Sequence, residues 1–411
     1  MTALIPFFLL LAADAPSQTW SQWGGPTRDF KIAPAPSLAA TWPATGPKAL
    51  WRRELGDGYS SFVSDNGSHL FTLYKKGETT VVLALEAGTG KTLWETTFDS
   101  PFIKGEMNPT MGTAPASTPL VSGDRVFAIT FTGRLVSLDR KTGKSIWEQD
   151  LWKQYGGTIV EYGYTNSPLL YRDMIILPIG GENRAMAAFR ASDGKLVWKR
   201  ATADNGMTSP IVVDMNGQAE LVTVMKDVVL GLDAKTGDSL WSIQHKNRTD
   251  TNVSTPVWAG NNTLLVSSAY DSGTRAIKLT RTGGKTEAKE LWFNPRIRVH
   301  VGNILVRGDV AYASSGDFGP APVTAFKVET GEILWQVRKF AKANFVDAGS
   351  KIVALDEEGK LILATLSPSG VEVLADTQAL TKPAWTPPTL IGTKVFIRDR
   401  KSMAAYELGA Q

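Results

Sequence analysis

Apolar and polar residues alternate in short runs along most of the chain, separated by small polar turns. That period of two predicts strands, and no helical spacing competes with it. The clearest run is LVSLDRKTGKSIW, Leu135 to Trp147. A short alternating strand leads into Asp139-Arg140-Lys141-Thr142-Gly143-Lys144, and a second strand ends on a tryptophan. Gly143 supplies the positive φ that closing a hairpin of this kind requires.

The hairpin recurs. Copies read VLALEAGTGKTLW (Val82 to Trp94), MAAFRASDGKLVW (Met186 to Trp198), VLGLDAKTGDSLW (Val229 to Trp241) and VTAFKVETGEILW (Val323 to Trp335). A stretched copy runs from Ala276 to Trp292, and a degenerate one, without its tryptophan, from Leu361 to Leu374. The tryptophans recur every 43 to 53 residues, which for strand-turn-strand units indicates propeller blades. Ser402 to Leu408 matches only the first strand of the hairpin, and Lys48 to Leu55 only the second, with Trp51 in the tryptophan position. Each end lacks what the other has. The expected fold is therefore an all-β, eight-bladed propeller of four-stranded antiparallel blades. Its ring is closed by pairing of residues 48–55 with 402–408. Trp51, Trp94, Trp147, Trp198, Trp241, Trp292 and Trp335 are expected to fasten each blade to the next, leaving blade seven the weakest joint.

Innermost strands carry a signature of small residues and proline: Ser117-Thr118-Pro119-Leu120, Asn166-Ser167-Pro168-Leu169, Ser209-Pro210-Ile211 and Ser254-Thr255-Pro256-Val257. Small side chains suit the crowded axis, and proline is tolerated at a strand start. Residues 48–411 then form one domain, because no blade can bury its faces alone. Residues 16–47 read as an extended arm across the ring, anchored by Trp20, Trp23 and Trp42.

Composition removes several function classes. With 44 basic and 40 acidic residues and no basic run, nucleic acid is not an expected partner. There is no cysteine, hence no disulfide, thiolate metal site or cysteine nucleophile. Met1 to Ala15 has the apolar core and small-residue end of a signal peptide, though no Lys or Arg precedes the core and Pro16 follows the cut. An ordinary apolar N-terminus is the alternative. No run reaches the ~20 apolar residues of a membrane span. Gly88-Thr89-Gly90-Lys91-Thr92 imitates the end of a phosphate loop, but Leu85 stands where that loop needs glycine and the turn simply recurs in other hairpins.

The repeat unit, clearest in Val229 to Trp241, resembles the quinoprotein-type (PQQ-like) β-propeller repeat over Lys48 to Leu408. The segment WSQWGGPTRDF, Trp20 to Phe30, is similar to the leader of exported bacterial members. No Trp-Asp dipeptide of the WD-repeat kind occurs. The resemblance implies the fold. For function it admits PQQ-dependent alcohol dehydrogenases, BamB-like scaffolds of outer-membrane assembly, and sensor domains. The vicinal cysteine pair of many dehydrogenases and the lipidated cysteine of BamB have no counterpart, and their Ca²⁺ ligand set cannot be mapped here by motif.

Segments preceding the innermost strands point to the funnel mouth. They supply Glu106, Asn108, Glu161, Tyr164, Asn166, Asn205, Asn252, Arg296, Arg298, His300, Asn344 and Trp385 as candidate ligand-binding residues. Carboxylates and amides such as Glu161 and Asn252 suit a Ca²⁺, and Arg296 and Arg298 suit an anion. The plainer reading is that a solvated funnel is polar whatever it does. His69, His245 and His300 show no metal-ligand spacing, and no nucleophile elbow is present, so no catalytic residue is assigned. The reading is an exported, monomeric, non-catalytic module of the bacterial envelope, periplasmic or extracellular. It has no cofactor and binds a protein or peptide. The alternative is a small PQQ-dependent oxidoreductase, with Arg296 and Arg298 on the quinone and Ca²⁺ near Glu161 and Asn252. A sugar-binding propeller would rest on Tyr162, Tyr164 and Trp385.

Overall fold

A computed structural model describes residues 19–110, 112–317, 319 and 321–410. The expected signal segment, residues 1–15, lies outside the described residues. Eight four-stranded antiparallel sheets follow one another around a ring. Seven are built from consecutive strands, for example Val63–Ser64, His69–Lys76, Thr79–Glu86 and Thr92–Asp99 in blade one. The eighth joins Thr389–Ile391, Lys394–Arg398 and Ser402–Glu407 to Lys48–Glu54 from the other end of the chain. Lys48 faces Glu407 and Glu54 faces Ser402, so chain closure is by strand pairing.

Second and third strands are almost wholly buried, whereas outermost strands alternate between half-buried and exposed residues, as along Thr92–Asp99. The packing between blades is therefore the core. Each outermost strand has a β-bulge one residue before the tryptophan position. Ala84 pairs Trp94 but Leu85 pairs Thr92, and the same slip occurs at Ser137/Leu138, Ala188/Phe189, Gly231/Leu232, Ala276/Ile277 and Ala325/Phe326. A bulge re-aims the side chain that follows it. Here it swings the indole toward the next blade.

Five tryptophans dock on the neighbouring blade through their indole nitrogen. Trp51, Trp94, Trp147 and Trp292 donate to the carbonyls of Ala87, Arg140, Ala191 and Val328 at 2.8–3.0 Å, and Trp335 donates to Ser367 at 3.1 Å. The turn glycine has a second duty here. A Cβ on Gly143, already at φ 71°, would sit 2.5 Å from the Trp94 ring, and Gly90, Gly194, Gly237 and Gly331 abut the preceding blade's indole likewise.

Trp198 and Trp241 depart from this hydrogen-bond rule. Trp198 packs on Gly237, yet its buried indole nitrogen has no partner. Blade five's stretched hairpin, Thr274–Thr282 and Lys285–Asn294, carries its turn outward and leaves Trp241 without that platform. Trp241 folds back on Gly231 of its own blade and donates 2.7 Å to the buried Glu220 carboxylate. Thr286 and Arg281 of blade five meet the same carboxylate, so a polar clasp replaces the indole dock. In blade seven the pairing Leu363 to Ala375 places Ala375, one residue beyond the degenerate repeat's Leu374, at the tryptophan position.

Residues 19–47 seal one end of the axis and brace the ring. Trp20 bridges Ser64, and Ser21 accepts from the Val121 amide at 2.8 Å. The Trp23 indole donates to Thr255 at 3.1 Å. Phe30 and Ile32 exchange backbone bonds with Asp347 at 2.8 and 3.0 Å. Arg28 is buried and donates to the carbonyls of Pro168 and Ser167 at 3.1 and 3.4 Å. Burial lowers its guanidinium to about 9, which leaves it charged at neutral pH.

Candidate functional site: the closed funnel

The innermost segments are joined by a belt of side-chain hydrogen bonds. The amide of Ser61 donates to the Thr118 hydroxyl (3.0 Å), that of Thr118 to Ser167 (3.0 Å), and that of Ser167 to Ser209 (2.9 Å). Asn166 donates to the carbonyls of Gly206 and Thr208, Asn303 to Phe345, and Asn344 to Trp385, all at 2.8–2.9 Å. The Ser-Thr-Pro signature is thus more than a small-residue filler. Its hydroxyls satisfy neighbouring backbone groups where no ladder continues across the axis.

Inside the belt lies a cavity of about 180 Å³. Trp23, Arg28 and Phe30 of the arm line its floor, while Tyr59, Tyr162, Tyr270 and Trp385 line its upper wall with Met207, Val253 and Val301. Tyr59 and Trp385 stack with centroids 5.7 Å apart and planes 17° apart, and the Arg400 guanidinium lies 5.7 Å from the Tyr59 centroid. Burial raises the phenols of Tyr59 and Tyr270 to about 12. Both remain protonated donors at neutral pH.

One polar chain reaches this wall. Lys342 Nζ lies 3.2 Å from His300 Nδ1, and His300 Nε2 lies 2.5 Å from the Tyr270 hydroxyl. The Asp317 carbonyl also bonds His300, so Lys342, His300, Tyr270 and the Asp317 backbone form one hydrogen-bonded cluster. Burial, then the Lys342 charge, lowers His300 to about 4 and keeps it neutral. Lys342 also donates 2.6 Å to the Asp317 carbonyl, and burial lowers its own pKa. His245 obeys the same logic away from the funnel. Arg275 donates to its Nδ1 at 3.0 Å, its Nε2 meets Ser268 at 2.8 Å, and it is lowered to about 3, with burial the main cause.

Of the twelve mouth residues read from sequence, His300, Asn344 and Trp385 line the cavity. Tyr164 does not: it is fully buried between blades two and three, against the backbone of Gly133 and Gly157. Asn166 is a buried strut, as given above. Asn205 is buried beside Thr158. Asn252 is spent on structure, donating to the carbonyls of Met225, Lys226 and His245 while its oxygen accepts from Asn247 and Ser268. Glu106 is exposed, and Asn108 and Glu161 hold each other at the outer rim. Arg296 is exposed, and Arg298 pairs with Asp317 (3.3 Å) and Asp271 (3.5 Å).

Glu161 and Asn252 have other partners, and the two arginines lie outside the cavity lining. Among the described residues no group of three or more His, Asp or Glu is placed to hold a metal ion. What sequence reasoning missed are Tyr59, Tyr270 and Val253, while Met207 closes the mouth segment Asp204-Asn205-Gly206-Met207. Tyr270 sits between the second and third strands of its blade, on a loop that also opens at the mouth and carries no repeat signature.

Eight four-stranded blades, indole docks on turn glycines and an axial funnel define a β-propeller of the PQQ-like repeat class. The family model described as "outer membrane protein assembly factor BamB" matches residues 37–218 and 106–337, and the chain belongs to that family. The BamB of Yersinia pestis is 24% identical over 275 residues, covering 64% of this chain and 66% of that protein. Quinohemoprotein alcohol dehydrogenase ADH IIB of Pseudomonas putida is 31% identical over 133 residues, 31% of this chain but only 18% of that one. The chain thus spans less than two thirds of either relative. Among solved structures, BamB of Moraxella catarrhalis superposes with a TM-score of 0.60 at 14% identity, covering 88% of this chain and 98% of that chain. A quinohemoprotein alcohol dehydrogenase of Comamonas testosteroni gives 0.69 at 13%, covering 97% and 82%. Those similarities show the fold. No helix among the described residues is long and apolar enough to cross a membrane.

Proposed function

We propose that this chain is a non-catalytic protein-binding or scaffolding module of the bacterial cell envelope, working as a monomer through the mouth face of its ring. The observation that carries the reading is the wall of the funnel. Aromatic and aliphatic side chains dominate it, while Lys226, Arg298 and Arg400 beyond the lining are engaged in ion pairs. An adhesive surface of that kind suits a polypeptide, whose apolar groups fill the well while its polar groups meet the rim. Family membership supports the same reading, as does the similarity to relatives named as outer membrane protein assembly factors. Export to the periplasm or cell surface belongs to this proposal. The quinoprotein alternative has relatives in its favour but no assembled ligand set at the residues named for it.

The two readings separate in a calorimetric titration of the purified chain with PQQ, with and without Ca²⁺. A scaffold gives no saturable heat at micromolar quinone. Saturable binding that disappears in Arg298→Ala would replace the scaffold reading with the oxidoreductase one.

A further inference from the structure

We propose that the funnel is a socket for a single aromatic side chain inserted by a partner polypeptide. The inference rests on the scaffold reading and specifies what that surface holds. Three observations meet here. The cavity, about 180 Å³, is close to the volume of engineered apolar cavities that take up one benzene ring. Trp23, Arg28 and Phe30 of the arm line it, with Phe30 and Arg28 buried, so the arm lies across the end of the cavity away from the mouth loops. Its upper wall presents the rings of Tyr59, Tyr162, Tyr270 and Trp385, which suit edge-to-face or offset contacts with a further ring.

The rim argues for a polypeptide rather than a free ring. Ion pairs encircle the well: Arg298 with Asp317 and Asp271, Lys226 with Asp204 (3.6 Å) and Asp250 (3.5 Å), and Arg400 with Asp57 (2.7 Å). An apolar centre within a polar, half-exposed ring is the anatomy of a protein interface and its anchor pocket. At the mouth His300 is neutral and Lys342 has Asp317 and Glu357 near it, while the Arg28 charge in the floor is met by the carbonyls of Pro168 and Ser167 and the side-chain oxygen of Gln22.

The test uses the purified full chain and three probes in calorimetry: acetyl-Ala-Trp-Ala-amide, acetyl-Ala-Leu-Ala-amide and free indole. The expected result is that the tryptophan peptide binds at least about tenfold more tightly than either of the others, because ring and backbone both contribute. Val253→Trp should abolish that binding by filling the socket. Val301→Phe is the second variant, and each is scored only where its melting temperature matches the parent. Equal affinity for indole and the tryptophan peptide would overturn the polypeptide occupant in favour of a small-molecule pocket. No binding of either aromatic probe would overturn the socket altogether. Partner adducts at the mouth that persist in Val253→Trp would sink this inference while leaving the scaffold reading intact.

Discussion

Gly143 and Trp94 show how one residue pair sets the tolerance of a whole joint. The glycine is at positive φ and its Cα is covered by the indole, so an added Cβ meets both backbone strain and the ring. Gly143→Ala should destabilise by about 1–3 kcal/mol, and Trp94→Ala by about 3–5 kcal/mol, in equilibrium urea unfolding. The two histidines give a pH signature. Folding depresses His245 to about 3 and His300 to about 4 from 6.5, so the unfolded chain takes up their protons first as pH falls. Their contribution is complete above pH 6.5 and is lost progressively below it, each histidine adding up to about 1.4 kcal/mol per pH unit. Urea midpoints measured from pH 7 to 5 should fall, and His300→Gln should flatten the slope by one proton. The tryptophans were legible because a repeated large residue announces itself at a fixed place in a repeated unit. The funnel wall was not, since Tyr59 and Tyr270 are single aromatics on loops, and only the ring's curvature makes them neighbours.

Blades and arm are the units at the next scale. The sequence shows blade seven without its tryptophan, and from that alone the joint looks weak. The arm changes that balance. Thr41 donates 3.0 Å to the Leu374 carbonyl, Gly46 packs on Thr377, and Trp42 is buried. A strap from outside the repeat thus covers the strand that lacks its own fastener. Trp42→Ala should cost about 3–5 kcal/mol and should raise amide exchange selectively in Gly370–Gln378. Uniform exchange across the eight blades in that variant would show that the arm does not brace blade seven. The strap was hard to read because its residues follow no period, and nothing local tells an extended segment which blade it crosses. Trp241 carries a similar lesson: its repeat looks ordinary, and the displaced turn that robs it of a dock lies in the following blade.

At the scale of the molecule, closure and mouth are linked. Pairing of Lys48–Glu54 with Ser402–Glu407 holds blade eight beside blade one, and Tyr59 and Trp385, one from each side of that seam, stack in the funnel wall. Ending the chain after Lys401 leaves Lys48–Glu54 without its partner strand. That truncation should replace one cooperative calorimetric transition with a broad, low-enthalpy one. The most direct test of the mouth as a docking face is photocrosslinking in the cell envelope of the source organism. A photoreactive residue is placed at Tyr162 or Arg296 on the mouth, or at Leu93 on the outer perimeter. The expected result is a discrete, reproducible protein adduct from the mouth positions and none from Leu93. Adducts from Leu93 alone, or none from the mouth, would contradict a partner bound over the funnel.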